Sequence, residues 1–260
     1  MHPVLFTIGP FTAYGYGFMI GLGALLGIFL AMYRAKRRGL NYDLMFDVAL
    51  WGLIAGMLGA KLTFLLSNME LLFTHPKEAL GSDGFTVYGG LIVGILVGIW
   101  RLNRKDAPIL TYLDLAVPGI ALAQGFGRIG CFMAGCCYGK ETDSAFSVVF
   151  PPEAIAPDGV PLIPTQLLSS AGNFLICIIL LLLSNFGPEK LTKPPALTGW
   201  WLALYGFGRF IIEFFRGDAR KMLWGLSSNQ YVSFLFVFVG VLIIAFTYSK
   251  LKQREKSSES

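Results

Sequence analysis

Three charged residues at helical spacing stand in an otherwise apolar stretch of the sequence. Arg209 and Glu213 are four positions apart, so they share one face of a helix and can form an ion pair. Arg216 continues the same face one turn later. Charged side chains within a membrane span cost about 2.5–3.5 kcal/mol at the helix centre and usually line a polar cavity. The three charged residues therefore predict that this helix face lines a polar cavity. The alternative is an ion pair that only fixes helix packing.

Arg128 is a further cation inside an apolar run. It lies in the segment Gln124-Gly-Phe-Gly-Arg-Ile-Gly-Cys131, whose glycines remove side-chain bulk around it. A guanidinium binds phosphate through two parallel hydrogen bonds, which an ammonium group does less well. We therefore expect Arg128 to bind an anionic phosphate group. The alternative is an arginine whose charge reaches the membrane interface.

Several other apolar runs open with small or polar residues. Tyr88-Gly89-Gly90 begins one run, and its glycine pair permits close approach of the backbone to a ligand headgroup. Tyr16 lies in the outer part of another run, where it could contact a ligand; the alternative is a tyrosine that only lies at the membrane interface. Gln166, in Pro164-Thr165-Gln166, is expected to cap a helix or to contact a ligand. Asp114 is expected to be structural.

Cys131, Cys136 and Cys137 form a cluster of three among the four cysteines of the chain. Such a cluster is compatible with a metal site, a disulfide, a nucleophile or small packing residues. Adjacent cysteines do not easily bind one ion together, and no histidine is close in sequence, so we expect no metal and no cofactor. The simplest interpretation packs Cys131 inside and places the cysteine pair at the mouth of the site.

The elements that must position these residues are transmembrane helices. Of the 260 residues, 55% are hydrophobic and only 14% are charged, which excludes disorder and is rare in soluble domains. A helix of about 20 apolar residues spans a bilayer. Seven stretches qualify: 12–33, 44–66, 86–101, 110–133, 163–184, 196–215 and 229–249. The third is short, so the alternative for 86–101 is a re-entrant segment.

Basic residues predict the orientation of these spans, because cytoplasmic loops retain lysine and arginine. The loops on one side carry most of them: Arg34, Lys36, Arg37, Arg38, Arg101, Arg104, Lys105, Lys190, Lys193, Lys250, Lys252, Arg254 and Lys256. We therefore expect an all-α transmembrane domain over 1–250, with its N-terminus outside and a polar cytoplasmic tail over 251–260. The long loops 67–85 and 134–162 then lie on the outer face, where we expect the chemistry. The net charge of +5 is spread thinly, which indicates anionic lipid and no nucleic acid as partner.

The motifs of the chain occur in a characteristic order: Ile8-Gly9-Pro10, Tyr16-Gly17, Tyr88-Gly89-Gly90-Leu91, the run from Gly127 to Gly139, Pro164-Thr165-Gln166-Leu167, the run from Gly208 to Arg216, and Ser228-Asn229-Gln230. Together they resemble the bacterial prolipoprotein diacylglyceryl transferase family nearly end to end. The resemblance implies an enzyme of the bacterial cytoplasmic membrane. It would transfer the diacylglyceryl group of phosphatidylglycerol to the lipobox cysteine thiol of a prolipoprotein and release glycerol phosphate.

The resemblance also implies roles for individual residues. Arg128 and Arg209 would bind and polarise the phosphatidylglycerol headgroup, and Glu213 would orient Arg209. The remaining members of the implied substrate site are Tyr16, Gly89, Gly90, Gln166 and Arg216.

Three positions depart from the pattern of the family. Tyr88 replaces its usual histidine, Cys131 its asparagine and Cys136 its glutamate. The two histidines of the chain, His2 and His75, lie outside the apolar stretches. Tyr88 is therefore the candidate proton acceptor, provided that arginines stabilise its phenolate. The acceptor thiol, with a pKa near 8.5, also loses its proton without a strong base.

Two other functions remain open on the sequence alone. One is a related lipid-headgroup transferase with a different acceptor. The other is a membrane transporter, in which Arg128, Arg209 and Glu213 would line the substrate pathway. Transporters usually show repeated halves with broken helices, and the sequence has no evident internal repeat.

Overall fold

The chain is mostly helical, as the composition predicts. The computed structural model describes residues 4–8, 11–81, 84, 86–218 and 222–259. Its helices are α1 (Gly15–Arg37), α2 (Tyr42–Ser67), α3 (Met69–Thr74), α4 (Pro76–Gly81), α5 (Val87–Asn103), α6 (Ile109–Ala134), α7 (Thr165–Phe186), α8 (Glu189–Thr192), α9 (Ala196–Glu213) and α10 (Ser228–Glu259). Within the described ranges, five segments are long and apolar enough to cross a membrane: α1, α2, α6, α7 and the Ser228–Gln253 part of α10.

The two remaining predicted spans correspond to shorter or more polar helices. α5 is apolar but has only 17 residues, and α9 has 18 residues that include Arg209 and Glu213. α10 continues through the predicted polar tail to Glu259. The predicted loop 67–85 contains α3 and α4.

The described chain also contains three short antiparallel strand pairs, which the prediction of a purely helical fold did not include. β1 (Val4–Ile8) pairs with β2 (Phe11–Tyr14), so α1 begins at Gly15 and not at residue 12. β3 (Val148–Val149) pairs with β4 (Pro161–Leu162), and β5 (Met222–Leu223) pairs with β6 (Leu226–Ser227). Gly9 and Pro10 of the opening motif lie outside the described residues.

The chain divides into two compact units. The first comprises Met1–Ala31 and Leu113–Ser260. Its apolar core joins α6, α7 and α9 through buried residues that include Val117, Leu180 and Leu197. α6 carries Arg128 and α9 carries Arg209, so this tightly packed core fixes the spacing of the two arginines.

Asp114 in α6 has the structural role that the sequence predicts. Its carboxylate accepts hydrogen bonds from the backbone N–H groups of Leu197 (3.1 Å) and Thr198 (2.8 Å) and from the Thr198 hydroxyl (2.6 Å). The first N–H groups of a helix have no partner within the helix, and a carboxylate at that end is favoured by the helix dipole. Asp114 therefore anchors the start of α9 to α6.

The second unit, Met32–Tyr112, is built on the packing of α2 against α5. A Cβ atom at Gly90 would lie 2.7 Å from the Gly56 carbonyl oxygen and 2.9 Å from the Ala60 Cβ. The glycines therefore let the two helix backbones approach closely, as small residues do in membrane helices. Near the other end of α5, Arg101 Nε donates a 3.0 Å hydrogen bond to Asp47.

Candidate functional site

A pocket in the first unit brings together the two arginines that the sequence singled out. It contains about 360 Å³ of empty space, part of it at the open mouth, between α6, α7 and α9. Its lining residues are Arg128, Leu168, Ser169, Gly172, Asn173, Ile176, Tyr205, Gly208, Arg209 and Ile212. In this set only Arg128 and Arg209 carry charge. Two guanidinium groups beside apolar walls create a strongly positive potential, which favours an anionic ligand.

Glu213 fixes the orientation of Arg209, as the spacing of four predicts. Arg209 Nη2 lies 3.1 Å from Glu213 Oε2, with the glutamate side chain only 2% exposed. Ser227 Oγ and Asn229 Nδ2 donate hydrogen bonds of 2.9 Å and 3.1 Å to Glu213 Oε1. These contacts hold the guanidinium on one side only. Its Nη1 is buried without a hydrogen-bond partner among the described residues, so it remains able to donate to a ligand.

Arg216 does not continue the face of α9, contrary to the prediction. The helix ends at Glu213, and Arg216 forms an antiparallel bridge with Gly139 instead. Its guanidinium binds both carboxylate oxygens of Asp218, at 2.8 Å and 2.6 Å. Arg216 is therefore not a lining residue of the pocket and stands beside Cys137. The bridge requires glycine at position 217, because a side chain there would overlap the Gly139 carbonyl.

The sulfur atoms of Cys131, Cys136 and Cys137 all lie within 4.8 Å of one another. Cys131 is on the last turns of α6, one turn beyond Arg128, and the other two follow the end of the helix. Hydrogen bonds with the Cys131 and Cys136 thiols, together with the charge of Arg216, lower the pKa of Cys137. Hydrogen bonds to the other two thiols, and then burial, raise the pKa of Cys136. The charge of Arg216, which is in hydrogen-bonding contact with the Cys137 thiol, favours its thiolate form.

Gln166 holds the cysteine segment and does not line the pocket. Its side-chain amide donates a 2.8 Å hydrogen bond to the Cys136 carbonyl, and Thr165 Oγ1 donates one of 2.8 Å to the Cys137 carbonyl. Both side chains are almost fully buried. Of the two roles that the sequence left open for Gln166, the described contacts are those of a group that fixes a loop.

Tyr16 lies close to the cysteine side of the site. A Cβ atom at Gly130 would be 3.3 Å from Tyr16 Cδ2, so the tyrosine ring packs on α6 beside Cys131. The side chain remains 44% exposed. This position is compatible with a substrate contact as well as with an interfacial tyrosine.

Tyr88, Gly89 and Gly90 belong to the second unit. Tyr88 is 61% exposed, whereas both glycines are buried. The space that a side chain would need at Gly89 is occupied by Thr63, and at Gly90 by Gly56 and Ala60. The space beside their α-carbons is therefore filled by α2, and the approach of a ligand headgroup to this glycine pair stays a prediction. The pair is explained by the close packing of α5 on α2.

Comparison with known proteins places the chain in a family. The sequence model of the prolipoprotein diacylglyceryl transferases matches residues 3–246. The chain belongs to this family. It is similar to the phosphatidylglycerol--prolipoprotein diacylglyceryl transferase of Clostridium tetani, with 40% identity over 94% of this chain and 96% of that protein. Its similarity to phosphatidylglycerol--prolipoprotein diacylglyceryl transferase 2 of Clostridium perfringens is 38% over 100% of both. The transferase of the same name from Streptococcus agalactiae is 34% identical over 95% of this chain and 96% of that protein.

In this member of the diacylglyceryl transferase family, sequence reasoning missed the contribution of α7 to the pocket. Ser169 and Asn173 line it, and Asn173 Nδ2 donates a 2.8 Å hydrogen bond to the Ser169 carbonyl. Asn173 Oδ1 is buried without a partner among the described residues. The signal was present in the sequence, because Thr165, Ser169 and Asn173 place a polar group every fourth residue on a helix that is otherwise apolar. Tyr205, one turn before Arg209, was missed as well.

Proposed function

We propose that this protein transfers the diacylglyceryl group of phosphatidylglycerol to the lipobox cysteine thiol of a prolipoprotein and releases glycerol phosphate. The observation that carries the proposal is the pocket in which Arg128 and Arg209 meet beside apolar walls, in a member of the prolipoprotein diacylglyceryl transferase family. The relatives named above carry both the donor lipid and the acceptor protein in their names. The reaction is the first step of lipoprotein maturation.

The charges of the pocket suit this reaction. The sulfur of the acceptor attacks the carbon that carries the phosphate ester, the carbon–oxygen bond breaks, and glycerol phosphate leaves with the bonding electrons. Negative charge therefore grows on the phosphate in the transition state. Preorganised cationic donors at such a position are worth about 10²–10³ in rate. Arg128 and the unpaired Nη1 of Arg209 would supply them.

Other residues that the sequence assigned to the site complete the proposal. Tyr16 would line the same cavity, since it packs beside Cys131. Tyr88, exposed at the start of α5, is proposed as the proton acceptor by analogy with the histidine of the family. Gln166 and Arg216 would support the site through loop positioning, and Gly89 and Gly90 would hold the start of α5, with Tyr88, against α2.

The proposed topology has seven spans in the bacterial inner membrane, with the N-terminus outside and the C-terminus in the cytoplasm. Each of the seven apolar stretches coincides with one of α1, α2, α5, α6, α7, α9 and α10. Lysine and arginine cluster in the last turn of α1, directly after α5 and in the last part of α10, as the positive-inside rule requires of cytoplasmic ends. The cysteine segment and the pocket mouth would then face outwards.

A direct experiment incubates the purified protein with phosphatidylglycerol and a synthetic lipobox peptide. Mass spectrometry of the peptide is expected to show one added diacylglyceryl group on the cysteine. A peptide with serine at that position, and reactions with phosphatidylethanolamine in place of phosphatidylglycerol, serve as controls. Modification of the peptide at a residue other than cysteine would point to a related transferase with a different acceptor, and no modification would overturn the proposal.

A further inference from the structure

The reaction as outlined above assigns no role to the three-cysteine cluster, Cys131, Cys136 and Cys137. The sequence argument against a metal was that adjacent cysteines do not easily share one ion. The backbone removes this objection, because Cys137 has a φ of 64° and Gly135 a φ of 71°. A left-handed conformation is unfavourable for a residue with a side chain, and such strain tends to occur at functional sites. Here it turns neighbouring sulfur atoms to the same side.

The cluster is held in place by contacts that are independent of the thiols. The backbone N–H of Cys136 donates to the Cys131 carbonyl at 3.1 Å. The carbonyls of Cys136 and Cys137 accept from the buried side chains of Gln166 and Thr165. These backbone anchors come from α6 and α7, so the three sulfur atoms are organised in advance, as a binding site requires.

The geometry and charge fit a zinc ion. Zinc bound at about 2.3 Å to each sulfur in a tetrahedron separates the sulfur atoms by about 3.8 Å. Sulfur atoms already within 4.8 Å of one another need only a small movement to reach that separation. Three thiolates and Zn²⁺ carry one net negative charge. Arg216, in hydrogen-bonding contact with Cys137, and Arg128, one turn from Cys131, would balance it.

Three protein ligands leave the fourth position of a tetrahedral ion open. In the described part of the chain, no histidine, aspartate, glutamate or further cysteine joins these three cysteines as a possible metal ligand. All three cysteines are partly exposed. Structural zinc sites are closed by four protein ligands, whereas sites with three take up a substrate. A thiol that binds zinc is deprotonated outright.

We propose that the three-cysteine cluster binds one zinc ion, whose fourth position receives the lipobox thiol of the acceptor as a thiolate. The identity of the fourth ligand rests on the proposed function. The binding of zinc by the three cysteines does not. Zinc would ionise the acceptor thiol directly, so the transfer would then not need Tyr88 as a proton acceptor.

The step balances in atoms and charge. The acceptor thiol binds zinc and releases its proton to water. The zinc-bound sulfur then forms a bond to the diacylglyceryl carbon as the bond from that carbon to the phosphate oxygen breaks. Glycerol phosphate takes the bonding electrons and one further negative charge, the thioether leaves the metal, and the zinc returns to its three cysteine ligands.

The first test measures metal in the full-length protein, purified in detergent and dialysed against micromolar zinc. We expect about one zinc per chain, and its loss in each of Cys131→Ser, Cys136→Ser and Cys137→Ser. Cys177→Ser is the matched control, because this fourth cysteine is buried in α7, outside the cluster, and should leave the zinc content unchanged. Less than a tenth of an equivalent in the wild type, or full retention of zinc in Cys136→Ser, overturns the proposal.

The second test replaces zinc with cobalt in the wild-type protein, so that it does not depend on the folding of the serine variants. Sulfur-to-cobalt charge-transfer bands are expected, with d–d bands that change when a lipobox peptide is added. A peptide with serine in place of cysteine should leave the bands unaltered. If neither peptide changes the cobalt bands, the metal site stands but its role in binding the acceptor is overturned. Both measurements are independent of transfer, so failure of the transferase assay with a metal-loaded protein would count against the proposed function alone.

Discussion

Arg128 and Arg209 reach the same pocket from different helices, and they are held in different ways. Arg209 is oriented by Glu213, which is itself fixed by Ser227 and Asn229. Arg128 stands among glycines near the end of α6. Both groups face a cavity with apolar walls, and Glu213 balances only one of the two charges, so the binding of an anion there is favoured. The loss of transfer rate on removal of either arginine can therefore be predicted.

Arg128→Ala is expected to lower the transfer rate by about a hundredfold or more, because loss of one charged donor in a dry site costs roughly 2–4 kcal/mol. The protein should remain folded in detergent, since α6 is held by its own backbone hydrogen bonds and alanine favours a helix. Initial rates with phosphatidylglycerol and a lipobox peptide measure the first effect, and thermal unfolding measures the second. Near-normal turnover would remove Arg128 from the phosphate site.

Arg209→Lys should also lose most activity, because lysine retains the charge but not the planar fork that reaches both Glu213 and a phosphate. Glu213→Gln is expected to be milder, since it weakens the orientation of Arg209 without removing it. The two variants are compared under identical conditions by kcat and KM for phosphatidylglycerol. A greater loss in Glu213→Gln than in Arg209→Lys would identify Glu213 as a proton acceptor.

Asn173→Leu separates function from stability at a position that the sequence analysis missed. The Oδ1 atom of Asn173 is buried without a partner among the described residues, and an unsatisfied buried acceptor costs about 1–3 kcal/mol. Removing it with a side chain of similar size should leave the unfolding temperature unchanged or higher. Activity should fall, through a raised KM for phosphatidylglycerol, if Oδ1 accepts a hydroxyl of the glycerol headgroup. An unchanged KM would show that the headgroup does not reach α7.

At the scale of elements, the sequence pattern was sufficient to predict a contact when both residues lie on one helix. The Arg209–Glu213 pair depends on helical spacing and was predicted. For Asp114 a structural role was predicted, but not its contact with the start of α9, which lies more than 80 positions away. Arg216 was misplaced because its position depends on a bridge to Gly139, a residue more than 70 positions away. The same limit applies to Gly89 and Gly90, whose neighbours on α2 cannot be identified from the sequence around them.

α7 forms one wall of the pocket, and Gly172 provides a way to test that wall. A Cβ atom at Gly172 would meet nothing within 4 Å, so Gly172→Leu should fold and extend into the cavity. Gly21→Leu is the matched control, because Gly21 in α1 is also open and does not line the pocket. We expect Gly172→Leu to lower activity at least tenfold, or about 1.4 kcal/mol, with Gly21→Leu close to wild type. Equal activities would mean that the donor lipid does not occupy this pocket.

At the scale of the whole molecule, the sequence predicted the class of the protein because the bilayer imposes its own pattern. Runs of about 20 apolar residues and basic loops follow from the membrane and not from the fold. The short strand pairs were missed for the opposite reason, since two-residue strands such as β3 and β5 carry no periodic signal. The convergence of three cysteines required the left-handed backbone at Cys137, which no sequence pattern indicates.

The proposed orientation has a simple test in living cells. A fluorescent protein fused after Ser260 should fluoresce, because this reporter folds in the cytoplasm, where the basic residues Lys250 and Lys252 place the end of α10. Alkaline phosphatase fused within the loop 134–162 should be active, because that enzyme requires the oxidising outer compartment. A fluorescent fusion within 134–162 would reverse the proposed orientation.

The central claim is that the pocket of Arg128 and Arg209 carries out diacylglyceryl transfer from phosphatidylglycerol to a cysteine thiol. The most direct measurement counts both products in one reaction, with the lipobox peptide present or omitted. The account predicts one glycerol phosphate released for each thioether formed, and release of glycerol phosphate only when the peptide is present. Glycerol phosphate released without peptide, or peptide modified without glycerol phosphate, would contradict it.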